Sequence, residues 1–322
     1  MLQGCKLKVT SLIFISILVF SCQTYTKESQ EVLDSRDELR GLRSYVYEDW
    51  IEADQLFDRY FDEYTKDLPN SKYFPVWFNS IGEKMNGVIF TPQVQTKGTV
   101  LFIHGYAGNS RGLRYIGNRL LKDGYVIAAL TLPGHGLAGG DRGDIDNFDD
   151  YAVVVSDFIK ILTDKGLKPD FAVGHSTGGS SLIIYNQKYG WEFKKVILIA
   201  PLIHSSYWYT SKITRFITRP FIKKLDTRWT GPLAVSTFPM HWFDELTKWN
   251  KKLENYNKMD DEIIVLQGDK DRIVSWRYNI KFIKELYNKS EVLIYKDGTH
   301  TLFLDEEWDG INVINKAFNF YY

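Results

Sequence analysis

Val173-Gly174-His175-Ser176-Thr177-Gly178-Gly179 is the stretch on which the reading of this chain turns. Before it, Asp170-Phe171-Ala172-Val173 is short and apolar, as a buried strand is; after it, Ser180–Tyr189 has a helical pattern. A serine on a sharp strand-to-helix turn has its hydroxyl pushed clear of the backbone, and glycines on either side admit a turn that a Cβ would obstruct. A glycine-rich loop with an idle serine spells the same letters. The rest of the chain has to separate the two.

The 322 residues suffice for one large α/β domain or two smaller ones, and 44% hydrophobic residues give ample material for a core. Forty basic residues balance forty acidic ones, so whole-chain electrostatics point to no nucleic-acid partner. The aromatic fraction, 15%, fits either a bulky core or surfaces for apolar ligands. Cys5 and Cys22 are the only cysteines, which leaves the body without a disulfide framework, a redox pair or a cysteine-based zinc site.

Residues 1–21 read as a signal peptide: Lys6 and Lys8, the apolar run Val9–Phe20, then Ser21 before Cys22. The run falls short of the roughly 20 residues needed to span a bilayer. Val19-Phe20-Ser21-Cys22 resembles a bacterial lipoprotein box, with Cys22 the lipidated residue and Phe20 bulkier than usual there. An ordinary signal peptide with an incidental cysteine is the alternative. The lipoprotein reading implies export to the bacterial cell envelope and anchoring in a membrane. Polar residues 22–44 then form a tether, and Trp50, Phe57, Tyr60, Phe61 and Tyr64 recur at the spacing of a helix packed on the body.

From Val76 the pattern alternates. Val76–Pro92 reads as two strands, with Gly82-Glu83 in the first connection and Asn86-Gly87 a second turn signal. Strands are expected at Thr99–Ile103, Tyr125–Leu130, Phe171–Val173, Lys195–Ala200, Ile263–Gln267 and Val292–Tyr295. Helices are expected at Leu113–Lys122, Tyr151–Thr163, Ser180–Tyr189, Arg277–Tyr287 and Gly310–Phe320. Such alternation predicts an α/β fold with a mainly parallel sheet covered on both faces, and ligands gathering at the strands' carboxyl ends. Residues 45–201 and 259–322 make up this core.

Residues 202–258 break the rhythm, with Trp208, Trp229, Trp242 and Trp249, and with Pro220, Pro232 and Pro239 interrupting any long helix. They read as an inserted cap of short helices. Lys212, Arg215, Arg219, Lys223, Lys224 and Arg228 there face only Asp226 in charge. Two readings stay open: a basic, aromatic lid for lipid headgroups or acyl chains, and a solvated helix face over a packed aromatic underside.

A serine hydroxyl needs a base within hydrogen-bond reach and a carboxylate to orient that base. The turn around Ser176 resembles the nucleophile turn of the α/β-hydrolases, in which the chain order is serine, acid, histidine. His104, His135 and His175 precede Ser176 and His204 and His241 fall in the cap, so His300, after a late strand, is the candidate base. Asp269 and Asp271 both follow the strand Ile263–Leu266, and spacing barely prefers one. An oxyanion needs preorganised donors. The Thr177 amide follows the nucleophile, and the Tyr106 amide lies in His104-Gly105-Tyr106-Ala107-Gly108, after an early strand. The Tyr106 side chain either shapes an acyl pocket or packs.

These motifs carry a resemblance. Together with Leu132-Pro133-Gly134-His135-Gly136, Gly140-Asp141-Arg142-Gly143, Phe148-Asp149-Asp150-Tyr151, Gly268-Asp269-Lys270-Asp271-Arg272-Ile273-Val274 and Gly298-Thr299-His300, they make Gly98–Leu304 similar to one branch of the α/β-hydrolases. This is the monoacylglycerol lipase and lysophospholipase branch, the serine aminopeptidase S33-like group. The resemblance implies the α/β-hydrolase fold with an inserted cap, and Asp271 as the acid. It also implies ester hydrolysis through Ser176, Asp271 and His300, with no metal or organic cofactor. Thr131 and Ala138 depart from the family's usual aspartate and serine, and Thr177 from a frequent methionine.

The expected function is therefore a serine hydrolase of carboxylic esters, lipid-like ones such as a monoacylglycerol or lysophospholipid. The alternatives are a small-ester, amide or peptide hydrolase of the same fold, or a binding protein without turnover. Oligomeric state is not legible.

Overall fold

A computed structural model of the chain describes Leu68 and residues 71–109, 114–227, 234–302 and 314. The signal segment, Cys22, the tether, the helical spacing before residue 65, Arg228, Trp229, Pro232 and the helix expected over 310–320 lie outside these residues.

Eight strands form one sheet. In chain order they are β1 (Ser71–Ser80), β2 (Glu83–Pro92), β3 (Gly98–Ile103), β4 (Tyr125–Leu130), β5 (Phe171–His175), β6 (Lys195–Ile199), β9 (Met259–Gly268) and β10 (Tyr287–Tyr295). The spatial order is β1-β2-β4-β3-β5-β6-β9-β10. β2 pairs antiparallel with both β1 and β4, and every pairing from β4 to β10 is parallel. The helices of the core are α1 (Arg114–Lys122), α2 (Asp150–Asp164), α3 (Thr177–Tyr189) and α6 (Trp276–Leu286).

β3–β6 are continuous apolar runs because residues on both of their faces are buried. On one face Leu101, Ala128, Ala172, Leu198 and Val265 join Phe158 of α2, Leu182 of α3 and Ile283 of α6 in one cluster. On the other, Val100, Ile127, Val173, Ile197 and Leu266 join Ile116 and Leu120 of α1. The switch of each strand's successive side chains between faces is the two-residue period of extended chain.

The β1–β2 hairpin turns at Ile81-Gly82, both at positive φ (50° and 77°), as a tight two-residue turn requires. Asn86-Gly87, the second turn signal, corrects the reading: it lies inside β2. Its composition serves packing instead. A Cβ on Gly87 would stand 2.6 Å from the Phe158 ring, and Asn86 uses its Nδ2 on the Val76 carbonyl at 3.4 Å.

Between β6 and β9 the insertion contributes α4 (Trp208–Thr218), the short antiparallel strands β7 (Lys224–Asp226) and β8 (Thr237–Pro239), and α5 (Met240–Asn250). Its aromatic underside is packed: Trp208, Trp242 and Trp249 are all buried. Trp242 Nε1 donates to Tyr151 Oη at 2.8 Å, and Trp249 stacks on Phe148 with ring centroids 5.1 Å apart. Arg215, counted above among the cap's surface charges, is buried too. Its Nε and Nη2 donate to the two oxygens of Asp244 at 2.9 and 2.7 Å, which joins α4 to α5.

Candidate active site

β4 lies to one side of β3 and β5 to the other, so the chain reverses its direction of winding between β3 and β5. The carboxyl ends of such neighbours open a crevice. The loop after β3 carries His104–Gly108, and the turn after β5 carries Ser176.

Ser176 occupies φ 49°, ψ −111°, far from where a residue with a Cβ rests, and α3 begins at Thr177. Helix formation thus starts immediately after the serine, not at Ser180. Two backbone bonds pin the turn: the Ser176 amide donates to the Ile199 carbonyl at 2.9 Å, and the Leu202 amide donates to the Ser176 carbonyl at 3.1 Å. The first amides of α3 have no partner within the helix and concentrate its positive dipole end beside Ser176. Thr177, the candidate oxyanion donor, is the first of them and is fully buried.

The β3 loop presses on this turn. A Cβ built on Gly105 would lie 3.0 Å from Ser176 Cβ and 2.7 Å from His175 Nδ1, so only glycine fits. Ala107 in the same loop has φ 58°. The amide of Tyr106, the second candidate donor, therefore belongs to a loop packed against the serine. The Tyr106 side chain turns toward the insertion. Its hydroxyl donates to the Gly143 carbonyl at 2.8 Å, and its ring lies 4.5 Å from that of Trp242 and 5.2 Å from that of Phe238.

The structure brings His300 and Asp271 together: His300 Nδ1 and Asp271 Oδ2 are 2.8 Å apart. The Asp271 side chain is fully shielded from solvent. Burial pushes its carboxyl up, but the adjacent His300, the amide of Val274 and the Gln267 side chain more than offset this and hold it below the usual carboxylate range. Ile273 and Val274 amides donate to Oδ1 at 2.8 and 3.0 Å, and Gln267 Nε2 donates to Oδ2 at 3.0 Å. An ionised carboxylate held this way orients the imidazole, with Nδ1 donating and Nε2 left as the basic nitrogen. Asp269 stands elsewhere: its Oδ1 accepts the Asp297 amide at 2.7 Å and so supports the turn before His300.

Four residues support the site in roles that the sequence reading did not assign. His175 donates Nε2–H to the His300 carbonyl at 3.0 Å. Gln267, fully buried, holds Asp271 as above. Asn279 bridges the acid loop and the start of the insertion: its Oδ1 accepts the His204 amide at 2.9 Å, and its Nδ2 donates to the Pro201 and His204 carbonyls at 3.0 and 3.1 Å. His104 accepts the Leu132 amide on Nε2 at 3.0 Å and therefore carries its proton on Nδ1, which donates to the Gly105 carbonyl at 2.7 Å. Burial depresses His104 to about 4 and both His135 and His175 to about 3, so all three are neutral near pH 7. Thr131, which departs from the family pattern, is buried and bonds Asn86 through its amide at 3.0 Å. Among the described residues, no three His, Cys, Asp or Glu side chains are grouped to hold a metal ion.

Comparison with known proteins agrees with this fold. Residues 94–237 match the family described as serine aminopeptidase, S33, a segment that contains Tyr106 and Ser176 and ends before Asp271. A monoacylglycerol lipase of Mycolicibacterium smegmatis is 27% identical over 121 residues, 36% of this chain and 42% of that protein. A putative esterase/lipase 2 of Mycoplasma pneumoniae is 28% identical over 217 residues, 61% of this chain and 78% of that protein. Among solved structures, a soluble variant of monoglyceride lipase from Saccharomyces cerevisiae superposes with a TM-score of 0.61 at 21% identity, covering 74% of this chain and 92% of that one. The chain has the α/β-hydrolase fold.

Proposed function

We propose that this α/β-hydrolase, of the serine aminopeptidase S33 type over residues 94–237, cleaves carboxylic esters through an acyl-enzyme on Ser176. The observation that carries the reading is the Asp271–His300 pair, 2.8 Å apart with its carboxylate shielded from solvent, at the same end of the sheet as the strained Ser176 turn. Ser176 Oγ attacks the acyl carbonyl while His300 Nε2 takes its proton. The Tyr106 and Thr177 amides stabilise the oxyanion, and collapse of the tetrahedral species expels the alcohol, which takes the proton back from His300. Water, deprotonated by the same imidazole, then releases the acid and restores Ser176. Throughout, Asp271 stays ionised and stabilises the imidazolium.

A lipid-like substrate, a monoacylglycerol or lysophospholipid, is favoured by the relatives named as lipases and by the aromatic cap beside the serine turn. We further propose export and membrane anchoring through lipidated Cys22, which the sequence Val19–Cys22 supports. A p-nitrophenyl ester series tests the substrate class. Turnover that rises from acetyl to medium and long acyl chains is expected, and a preference for acetyl would replace the lipid reading with a small-ester one. Cys22→Ala should abolish attachment of lipid at the N-terminal segment, read by mass spectrometry of the mature protein.

A further inference from the structure

A threonine inside a helix commonly donates its hydroxyl to the carbonyl four residues back, as Thr163 does to Ile159 at 2.8 Å and Thr247 to Phe243 at 2.9 Å. Ser180 and Ser181, the buried hydroxyls near the start of α3, are satisfied too. Ser181 donates to the Thr177 carbonyl at 2.8 Å, and Ser180 donates to the Leu202 carbonyl. Thr177 stands apart. Its Oγ1 is buried and, among the described residues, has no hydrogen-bond partner. As the first residue of α3 it has no helical carbonyl behind it, since Val173, four residues back, lies on β5 and pairs with β3 and β6.

The place of this hydroxyl gives it a use. Covalent geometry keeps Oγ1 within about 4 Å of its own amide nitrogen in every staggered rotamer, and that amide is the candidate oxyanion donor beside Ser176. The group cannot swing far away. A β-branched side chain is stiff at χ1, and the first turn of α3 is pressed on β3, with a Cβ on Gly178 falling 2.2 Å from the Ile103 carbonyl oxygen. A donor that is buried, fixed and without a partner at this point is preorganised for charge that develops beside the serine.

We propose that the Thr177 hydroxyl is a third oxyanion donor, acting with the amides of Tyr106 and Thr177. The inference rests on the acyl-enzyme reading of Ser176. Thr177 loses no proton: its O–H donates a hydrogen bond to the acyl oxygen while His300 handles the serine proton. The bond strengthens as the carbonyl oxygen becomes an oxyanion, so its effect falls on kcat more than on KM. In the free protein the same hydroxyl, buried without a partner, lowers stability.

Two variants test this. Thr177→Val keeps the shape and removes the donor; Thr177→Ser keeps the donor and removes a methyl group. On a soluble p-nitrophenyl ester, kcat of the valine variant should fall by about a hundredfold with KM little changed. The serine variant should keep most of the parent rate. Affinity for an alkylboronic acid, whose adduct on Ser176 places an oxygen where the oxyanion forms, should weaken in the valine variant by a similar factor. Thermal unfolding should place that variant at or above the parent, because a buried hydroxyl without a partner is gone. A parent-like kcat in the valine variant overturns the proposal and leaves the acyl-enzyme reading standing. Full boronate affinity beside lost turnover overturns it as well. So does a valine variant less stable than the parent together with an equally slow serine variant, since the residue then acts by packing. Folded parent protein without turnover overturns the acyl-enzyme reading, and the proposal with it.

Discussion

His175 Nε2 donates to the backbone carbonyl of His300 at 3.0 Å, so the residue before the candidate nucleophile anchors the candidate base. The two residues are 125 positions apart in the chain, and their rings lie 4.8 Å apart. One buried imidazole thus fixes the spacing between the β5 turn and the His300 loop. His175→Leu leaves the His300 carbonyl without this donor and lets that loop shift. Turnover should fall by about tenfold to a hundredfold with little change in KM, since a displaced catalytic group costs rate more than binding. Steady-state kinetics on a soluble p-nitrophenyl ester, with circular dichroism as the check on folding, measures this. Unchanged kcat would mean that the contact is only structural.

Gln267 contributes one of the donors that keep Asp271 ionised. Gln267→Leu removes it and raises the Asp271 carboxyl toward its ordinary value; Gln267→Glu sets a second carboxylate against it and raises it further. A loss of about tenfold in kcat is expected for the leucine variant, the worth of one hydrogen bond to a charged group. The glutamate variant should lose more, and its activity should recover partly on acidification as the new carboxyl protonates. A pH–rate profile identical in all three proteins contradicts this role.

Protonation of buried histidines sets the acid limit of stability. His104, His135 and His175 are depressed to about 4, 3 and 3, so between roughly pH 6.5 and 4 each binds a proton only in the unfolded chain. Their contribution is fully present above pH ~6.5 and is lost as pH falls toward the folded values, at up to ~1.4 kcal/mol per pH unit for each group. Urea unfolding should therefore show stability dropping by several kcal/mol between neutrality and pH ~5. A flat profile over that window would contradict the neutral, buried state of the three rings.

Much of the fold is legible because its central strands are buried on both faces. Val100–Ile103, Tyr125–Leu130 and Val196–Ile199 are apolar without interruption, and no competing pattern obscures them. The ends of the last two core strands are not legible. β9 begins at Met259 and β10 at Tyr287, each several residues before its apolar run, because parallel pairing of the two strands extends them through polar residues such as Glu262 and Lys289. Asn86-Gly87 misleads for a related reason: its glycine answers to the Phe158 ring, a contact 71 positions away. In the site, Ser176 and His300 are prominent in the sequence, through a motif and through chain order. Asp269 and Asp271 are not separable by spacing; their different partners, the Asp297 amide and the His300 ring, exist only in the folded loop. The roles of His175, Gln267 and Asn279 are not legible even where the residue lies in a motif, since each acts through a carbonyl or carboxylate brought near by the sheet.

Fluorophosphonate labelling tests the central claim most directly, because the probe reports an activated serine whatever the natural ester is. Wild-type protein should react at Ser176, with the adduct located by mass spectrometry. Ser176→Ala should not react, and His300→Ala should label several powers of ten more slowly. Folded wild-type protein that stays unlabelled, or an adduct on a different serine, would contradict the account.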